Sequence, residues 1–123
     1  ALAGLAHDED SVARQRLRAL RTAVMARLIC RELAGLSNLD EAVTTVSDLA
    51  EVAVAAALAN AQVQTEARYG QPIGEETGTP QTLIVVGMGK LGGRELNVSS
   101  DIDLIFCLSR RRRNHRSAHD QQS

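Results

Sequence analysis

At 123 residues, with 44% hydrophobic and 24% charged side chains, the chain has the length and composition of one ordinary globular domain. Aromatic residues reach only 2%, which argues against a ring-lined platform for single-stranded nucleic acid and leaves Ala, Leu, Val and Ile to build a core, favouring packed helices over a β-sandwich. The formal net charge of -1 gives no general attraction to polyanions or anionic membranes, and the apolar stretch from Val52 to Ala61 falls short of the roughly 20 residues that span a bilayer.

From about Ser11 the spacing of Leu17, Leu20, Val24 and Leu28, with Arg14, Arg18 and Arg21 between them, predicts a helix with a solvated basic face. Gly35 is placed to end it in a left-handed conformation, and Ser37 with Asp40 has the spacing of an N-terminal cap for the next helix. That second helix follows the i, i+3, i+4, i+7 rule from Leu39 through Ala61, is rich in Ala, and is stopped by Gly70 and Pro72. The two helices are expected to form a hairpin over residues 1–70. Residues 71–81, rich in Gly, Pro, Glu and Thr, read as a linker loop.

The character then changes. Thr82 to Val86 (TLIVV) predicts a strand buried on both faces, Gly87 to Gly93 a glycine-rich turn, and Ile102 to Leu108 (IDLIFCL) a second strand. After Leu108 the chain runs SRRRRNHRSAHDQQS, with no apolar period, so residues 109–123 are expected to be a disordered basic tail. Arg110 to Arg113 would alternatively serve as a nucleic-acid-binding arm, a reading that lacks any aromatic or folded neighbour. Cys30 and Cys107 stand in separate elements without metal-ligand spacing and read as the reduced thiols of a cytoplasmic protein. No signal peptide opens the chain and it begins at Ala1 without an initiator Met, so it is expected to be a piece of a longer protein.

The chemistry is expected between Gly87 and Phe106. Gly87, Gly89 and Gly92 match G-x-G-x-x-G, but that dinucleotide motif needs a crossover helix before the next parallel strand, and there is room for only a turn or two. A Walker-type loop fails because Gly92 is followed by Gly93 and Arg94. A third reading fits. Asp101 and Asp103, two apart at the head of a strand, are expected to point to one face, with Ile102, Leu104 and Phe106 burying on the other. Two neighbouring carboxylates repel unless a cation lies between them, and Mg²⁺ prefers carboxylate and phosphate oxygens. Such a site can serve in-line transfer at phosphorus, the glycine turn admitting a phosphate close to the backbone. An isolated D-x-D reads more readily as two solvated carboxylates at a strand edge; the glycine turn after a buried strand and Ser99-Ser100 before it favour the metal site.

The segment GMGKLGGRELNVSSDIDLIF resembles the signature of the glutamine synthetase adenylyltransferase family of the nucleotidyltransferase superfamily. Upstream, LRALRTAVMARLICRELAGL, SDLAEVAVAAAL and ARYGQP are similar to that family's helical segment, so the resemblance covers roughly residues 10 to 107. It implies an α+β fold: a helical hairpin followed by the first two strands of a nucleotidyltransferase-type mixed sheet over residues 82–108, truncated before the rest. Family enzymes hold two catalytic domains, one removing AMP from a tyrosine of glutamine synthetase by phosphorolysis and one attaching AMP from ATP; this segment is more similar to the amino-terminal, removing half.

By resemblance, Asp101 and Asp103 are the catalytic residues and bind Mg²⁺, while Gly92, Gly93, Ser100 and Lys90 contact the phosphates of ATP or ADP. Lys90 reads equally as a solvated turn lysine, Arg94 and Glu95 as a surface ion pair, and Asn97 as a turn cap. Glutamine synthetase and a PII-type signalling protein are the implied partners; neither nucleic acid nor membrane is expected. The superfamily's third carboxylate, on a later strand, has no counterpart after Leu108, Asp120 being a poor substitute, so the isolated chain is expected to be inactive. Two other readings compete: a non-catalytic interaction module with a decayed site, and a nucleotidyltransferase for another acceptor.

Overall fold

The computed structural model describes residues 2–75 and 77–108; the expectations for the basic tail, Arg110 to Arg113 and Asp120 included, lie outside them. The predicted hairpin is present. Helix α1 spans Asp10–Leu33 and α2 spans Leu39–Tyr69, preceded by a 3-10 turn at Leu5–His7. Strand β1 (Leu83–Met88), the single-turn helix α3 (Gly89–Gly92) and β2 (Asp103–Leu108) follow, giving an α+β chain.

Helix α1 ends in a Schellman motif: Leu36 N–H donates to Arg31 O at 2.8 Å and Gly35 N–H to Glu32 O at 3.0 Å, with Gly35 at φ 68° as its sequence position suggests. The cap of α2 falls one residue later than expected. Asn38, extended at φ -111°, accepts the Glu41 N–H on its side chain at 2.8 Å, while Ser37 Oγ is buried without a partner. The reason is positional. The Schellman motif already occupies the chain through Leu36, so Asn38 is where extended backbone meets the first turn. Glu41 then turns to Arg31, which grips it at 2.9 and 3.3 Å and also donates to Leu36 O at 2.9 Å, cross-linking the hairpin at its bend.

At the other end of α2, Asn60 is 4% exposed and its side-chain amide donates to the carbonyls of Leu5, Ala6 and Asp8 at 3.0, 3.3 and 2.9 Å. Leu5, 2% exposed, is thereby seated on the helix. By length and composition α2 can cross a membrane, its best window having a mean hydropathy of 1.5. The expectation drawn from Val52 to Ala61 missed this, because hydropathy averages across isolated polar residues. Those polar residues are tied to the rest of the chain: Ser47, Asp48, Glu51 and Asn60 all hydrogen-bond outside α2.

The strands pair antiparallel, from Leu83 opposite Leu108 to Met88 opposite Asp103. A dinucleotide crossover joins parallel strands, so the antiparallel pairing rules it out here. The expected double burial of β1 is not found. Leu83, Val85 and Gly87 are half-buried toward α2, but Ile84, Val86 and Met88 are 50%, 42% and 44% exposed. Among the described residues, helix lies over the Val85, Gly87 and Leu104 part of one face of the two-stranded sheet, and nothing covers the other face. Phe106, expected to bury, lies opposite Val85 on the same face as Leu104 but is 62% exposed, because the helices do not reach that end of the strand pair. Ile102, just before β2 and also expected to bury, is 43% exposed, and only Leu104 is half-buried.

One hydrophobic cluster joins the halves of the chain. Leu28 of α1 and Ala42 and Val46 of α2 pack with Leu91 of α3 and Leu96 just after it. The helical segment and the glycine turn therefore share a core, although residues 71–81 separate them as a loop pinned by an isolated bridge between Ile73 and Pro80.

Candidate active site

The chain leaves the sheet at Met88 and re-enters it directly opposite, at Asp103. Everything between is built to keep that turn tight. Gly92 lies against β1 so closely that a Cβ there would sit 2.7 Å from the Gly87 carbonyl oxygen. Gly89 adopts φ 55°, and a Cβ on it would come within 3.2 Å of Asp103 Oδ2. The Asp103 carboxylate thus lies at the start of α3, beside the one residue type that leaves it room in that conformation. Between them Leu91 turns into the core. Lys90 and Gly93 face outward and are exposed.

Helix α3 closes with a second Schellman motif. Glu95 N–H donates to Lys90 O at 2.8 Å and Arg94 N–H to Leu91 O at 3.1 Å. The left-handed position of such a motif is usually Gly, yet here it is Arg94, at φ 56°. Its side chain does not pair with Glu95. It crosses to α2, where NH2 bonds Asp48 and NH1 bonds Glu51 Oε1 at 2.6 Å. The hydrogen bond to Asp48, and after it the negative charge of Glu51, raise the Arg94 pKa above its ordinary value. Leu96, 1% exposed, follows into the core, its N–H donating to the buried Ser47 Oγ at 3.3 Å.

Asn97 then organises the approach to the aspartates. Its Oδ1 accepts from Ser99 N–H at 3.1 Å, Ser99 Oγ at 3.1 Å and Ser100 Oγ at 2.8 Å, while its own N–H donates to Ser100 Oγ at 3.2 Å. This is the turn cap that its sequence position suggests, and it takes up the Ser100 hydroxyl. Asp101 is exposed and, with Ser100 and Ile102, borders a groove of about 470 Å³ whose other wall includes Leu17, Met25 and Ala50 of the hairpin. Because β2 begins at Asp103, strand alternation orients Asp103 toward the outer face but does not extend to Asp101.

Of the residues expected in the site, Asp103, Gly92, Gly93 and Lys90 therefore gather around α3, and Ser100 and Asp101 stand on the turn leading into β2. Gly92 has a packing reason to be glycine, independent of any ligand. Gly89, Asp48 and Glu51 were not singled out by sequence. Gly89 was visible only as part of the rejected G-x-G pattern, and the two carboxylates lie 46 and 43 residues from Arg94, beyond any local signal. Among the described residues no group of three His, Cys, Asp or Glu could hold a metal ion. Two carboxylates do suit Mg²⁺, which commonly takes one or two protein carboxylates and completes its shell with phosphate oxygens and water.

The family profile described as glutamate-ammonia ligase adenylyltransferase matches residues 1–123. The bifunctional glutamine synthetase adenylyltransferase/adenylyl-removing enzyme of Chromobacterium violaceum is 67% identical over 90 residues, which is 73% of this chain and 10% of that protein. The enzymes of the same name from Ralstonia nicotianae and Thioalkalivibrio sulfidiphilus are 52% and 48% identical over 101 and 106 residues, covering 82% and 86% of this chain and 11% of each relative. The chain thus spans about a tenth of the length of these relatives. No solved structure matches it. With the profile matched from end to end, the chain belongs to the glutamate-ammonia ligase adenylyltransferase family.

Proposed function

We propose that this chain supplies the glycine turn and carboxylate pair of a nucleotidyltransferase site that removes AMP from an adenylylated tyrosine of glutamine synthetase. The reading is carried by one observation: Asp103 heads β2 opposite Met88 and sets its carboxylate 3.2 Å from the Cβ position of Gly89, inside the glycine turn. The names of the relatives, which join an adenylyltransferase with an adenylyl-removing activity on glutamine synthetase, support the substrate. The likeness of GMGKLGGRELNVSSDIDLIF to the removing half supports the direction.

In this reading an oxygen of inorganic phosphate attacks the α-phosphorus of adenylyl-tyrosine. The bond from phosphorus to the phenolic oxygen breaks, ADP forms, and the tyrosine oxygen takes up a proton. Asp101 and Asp103 would hold Mg²⁺, which would supply charge neutralisation to the phosphate oxygens. Lys90 and the open backbone at Gly93 bind phosphate, and Asn97 orients Ser100 on the turn that carries Asp101. The same fold in a longer protein would work in the cytoplasm with ATP and ADP as nucleotides, glutamine synthetase as substrate and a PII-type protein as regulator, without nucleic acid or membrane.

The test is Asp101→Asn and Asp103→Asn, each in the full-length enzyme. Both are expected to abolish ADP formation from adenylylated glutamine synthetase and phosphate, and unchanged activity in either overturns the assignment of that residue. A decayed interaction module, the competing reading, predicts no dependence of Mn²⁺ binding on either aspartate.

A further inference from the structure

We infer that Arg94 is a positioning residue: by holding Asp48 and Glu51 of α2 it sets the glycine turn, and the Asn97 to Asp101 segment beyond it, against the helical hairpin in the working geometry of the site. The inference rests on the reading of Asp101, Asp103 and the glycine turn as that site.

Three observations carry it. Arg94 occupies left-handed backbone at the closing position of the α3 Schellman motif, where Gly would be relaxed and where a long side chain is retained at a cost in backbone energy. That side chain reaches two carboxylates three residues apart, and so on one face of α2, rather than the adjacent Glu95. Two residues later Leu96 is buried and donates its N–H to Ser47, which is fully buried on the same helix. Ser47, Asp48 and Glu51 thus form a short track on α2 that grips the chain at Arg94 and Leu96, between α3 and the Asn97 turn. An exposed ion pair of this kind adds little to stability, so its consequence lies in where it directs the chain. Asp103 stands on the sheet, and the chain reaches Asp101 from this track through the Asn97 turn, so the relation between the two carboxylates depends on the grip.

Arg94→Gly separates positioning from folding, because it removes the side chain while relieving the left-handed strain. In the full-length enzyme it is expected to keep the wild-type melting temperature and the KM for adenylylated glutamine synthetase. The same variant is expected to lower kcat for phosphorolysis about tenfold and to raise the Mn²⁺ concentration for half-maximal rate by a similar factor. The double variant Asp48→Asn with Glu51→Gln, at exposed positions of α2, should show the same loss. Arg94→Glu combined with Asp48→Arg and Glu51→Arg should recover activity relative to Arg94→Glu alone. Unchanged kcat and Mn²⁺ requirement in Arg94→Gly or in the double variant, or no recovery in the charge-exchanged one, overturns the inference. Asp103→Asn, run in parallel, tells its failure from that of the underlying reading: if Asp103→Asn is also silent, the site itself is wrong, and if only the Arg94 series is silent, the positioning role alone fails.

Discussion

The backbone of Gly92 rests on the carbonyl of Gly87, at a distance that leaves 2.7 Å between that oxygen and any added Cβ. The contact joins the last residue of α3 to the penultimate residue of β1, so it sets how sharply the chain turns after the strand. Since the clash is with backbone rather than a flexible side chain, a methyl group has no cheap way out. Gly92→Ala is therefore expected to destabilise the chain by about 1–3 kcal/mol, the usual range for overpacking, and to displace Leu91 from the core. Urea denaturation followed by circular dichroism measures it, and an unchanged midpoint would show that α3 lifts away freely.

Asn60 carries the attachment of the N-terminal turn. Its amide has two hydrogens and three carbonyl acceptors, and it is nearly inaccessible to water. Asn60→Ala removes this donor from all three carbonyls, although Leu5 O keeps the Asp8 N–H and Asp8 O the Gln64 amide, and is expected to cost roughly 1 kcal/mol. The loss should be local as well as global: amide hydrogen exchange of the segment from Leu5 to Asp8 should accelerate more than that of Val46 in the shared core. Equal acceleration at both places would contradict the local attachment.

Much of this architecture was legible in the sequence because its signals are short-range. The periodicity of α1 and α2, the stops at Gly35 and Gly70 and both strands follow from residues within a few positions of one another. The cap of α2 was misplaced by one residue because Ser37 and Asn38 are adjacent candidates and only the preceding turn decides between them. The run TLIVV suggests burial on both faces because both of its faces are apolar, whereas among the described residues α3 and α2 lie against one face of the sheet and nothing lies against the other. The partners of Arg94 were illegible for a different reason. They lie on α2 and are chosen by how the glycine turn docks, while Glu95, the neighbour that sequence suggests, is excluded by the direction Arg94 takes from left-handed backbone.

Asn97 tests whether the approach to the aspartates is ordered by its side chain. Three donors converge on Oδ1, all from Ser99 and Ser100, and the residue itself is exposed. Asn97→Ala removes that acceptor at a solvent-facing position, so the expected effect on stability is below about 1 kcal/mol. Activity should respond more: in the full-length enzyme kcat for phosphorolysis is expected to fall several-fold, whereas Asn97→Asp, which keeps the acceptor, should retain most of it. A variant Asn97→Ala with wild-type kcat would mean that Ser100 and Asp101 are held by backbone alone.

The chain by itself is expected to form no measurable ADP from adenylylated glutamine synthetase and phosphate. Its described residues bring at most two carboxylates to the site, with no third His, Cys, Asp or Glu close enough to complete a metal cluster. Among the described residues the sheet that carries Asp103 has two strands, and such a pair draws its stability from what packs on it. Here Val85, Gly87 and Leu104 pack toward α2, while Ile84, Val86, Met88 and Ile105 present an open apolar face next to Asp103. A carboxylate at the end of an uncovered two-stranded sheet is held less firmly than one in a wider sheet, and the loss falls on the geometry that phosphoryl transfer requires. The dye ANS should accordingly bind the isolated chain and light up, as it does on exposed apolar surface. Coupled-enzyme detection of ADP, with the full-length enzyme as positive control, is the decisive measurement: turnover by this chain alone would show that two carboxylates and the glycine turn suffice.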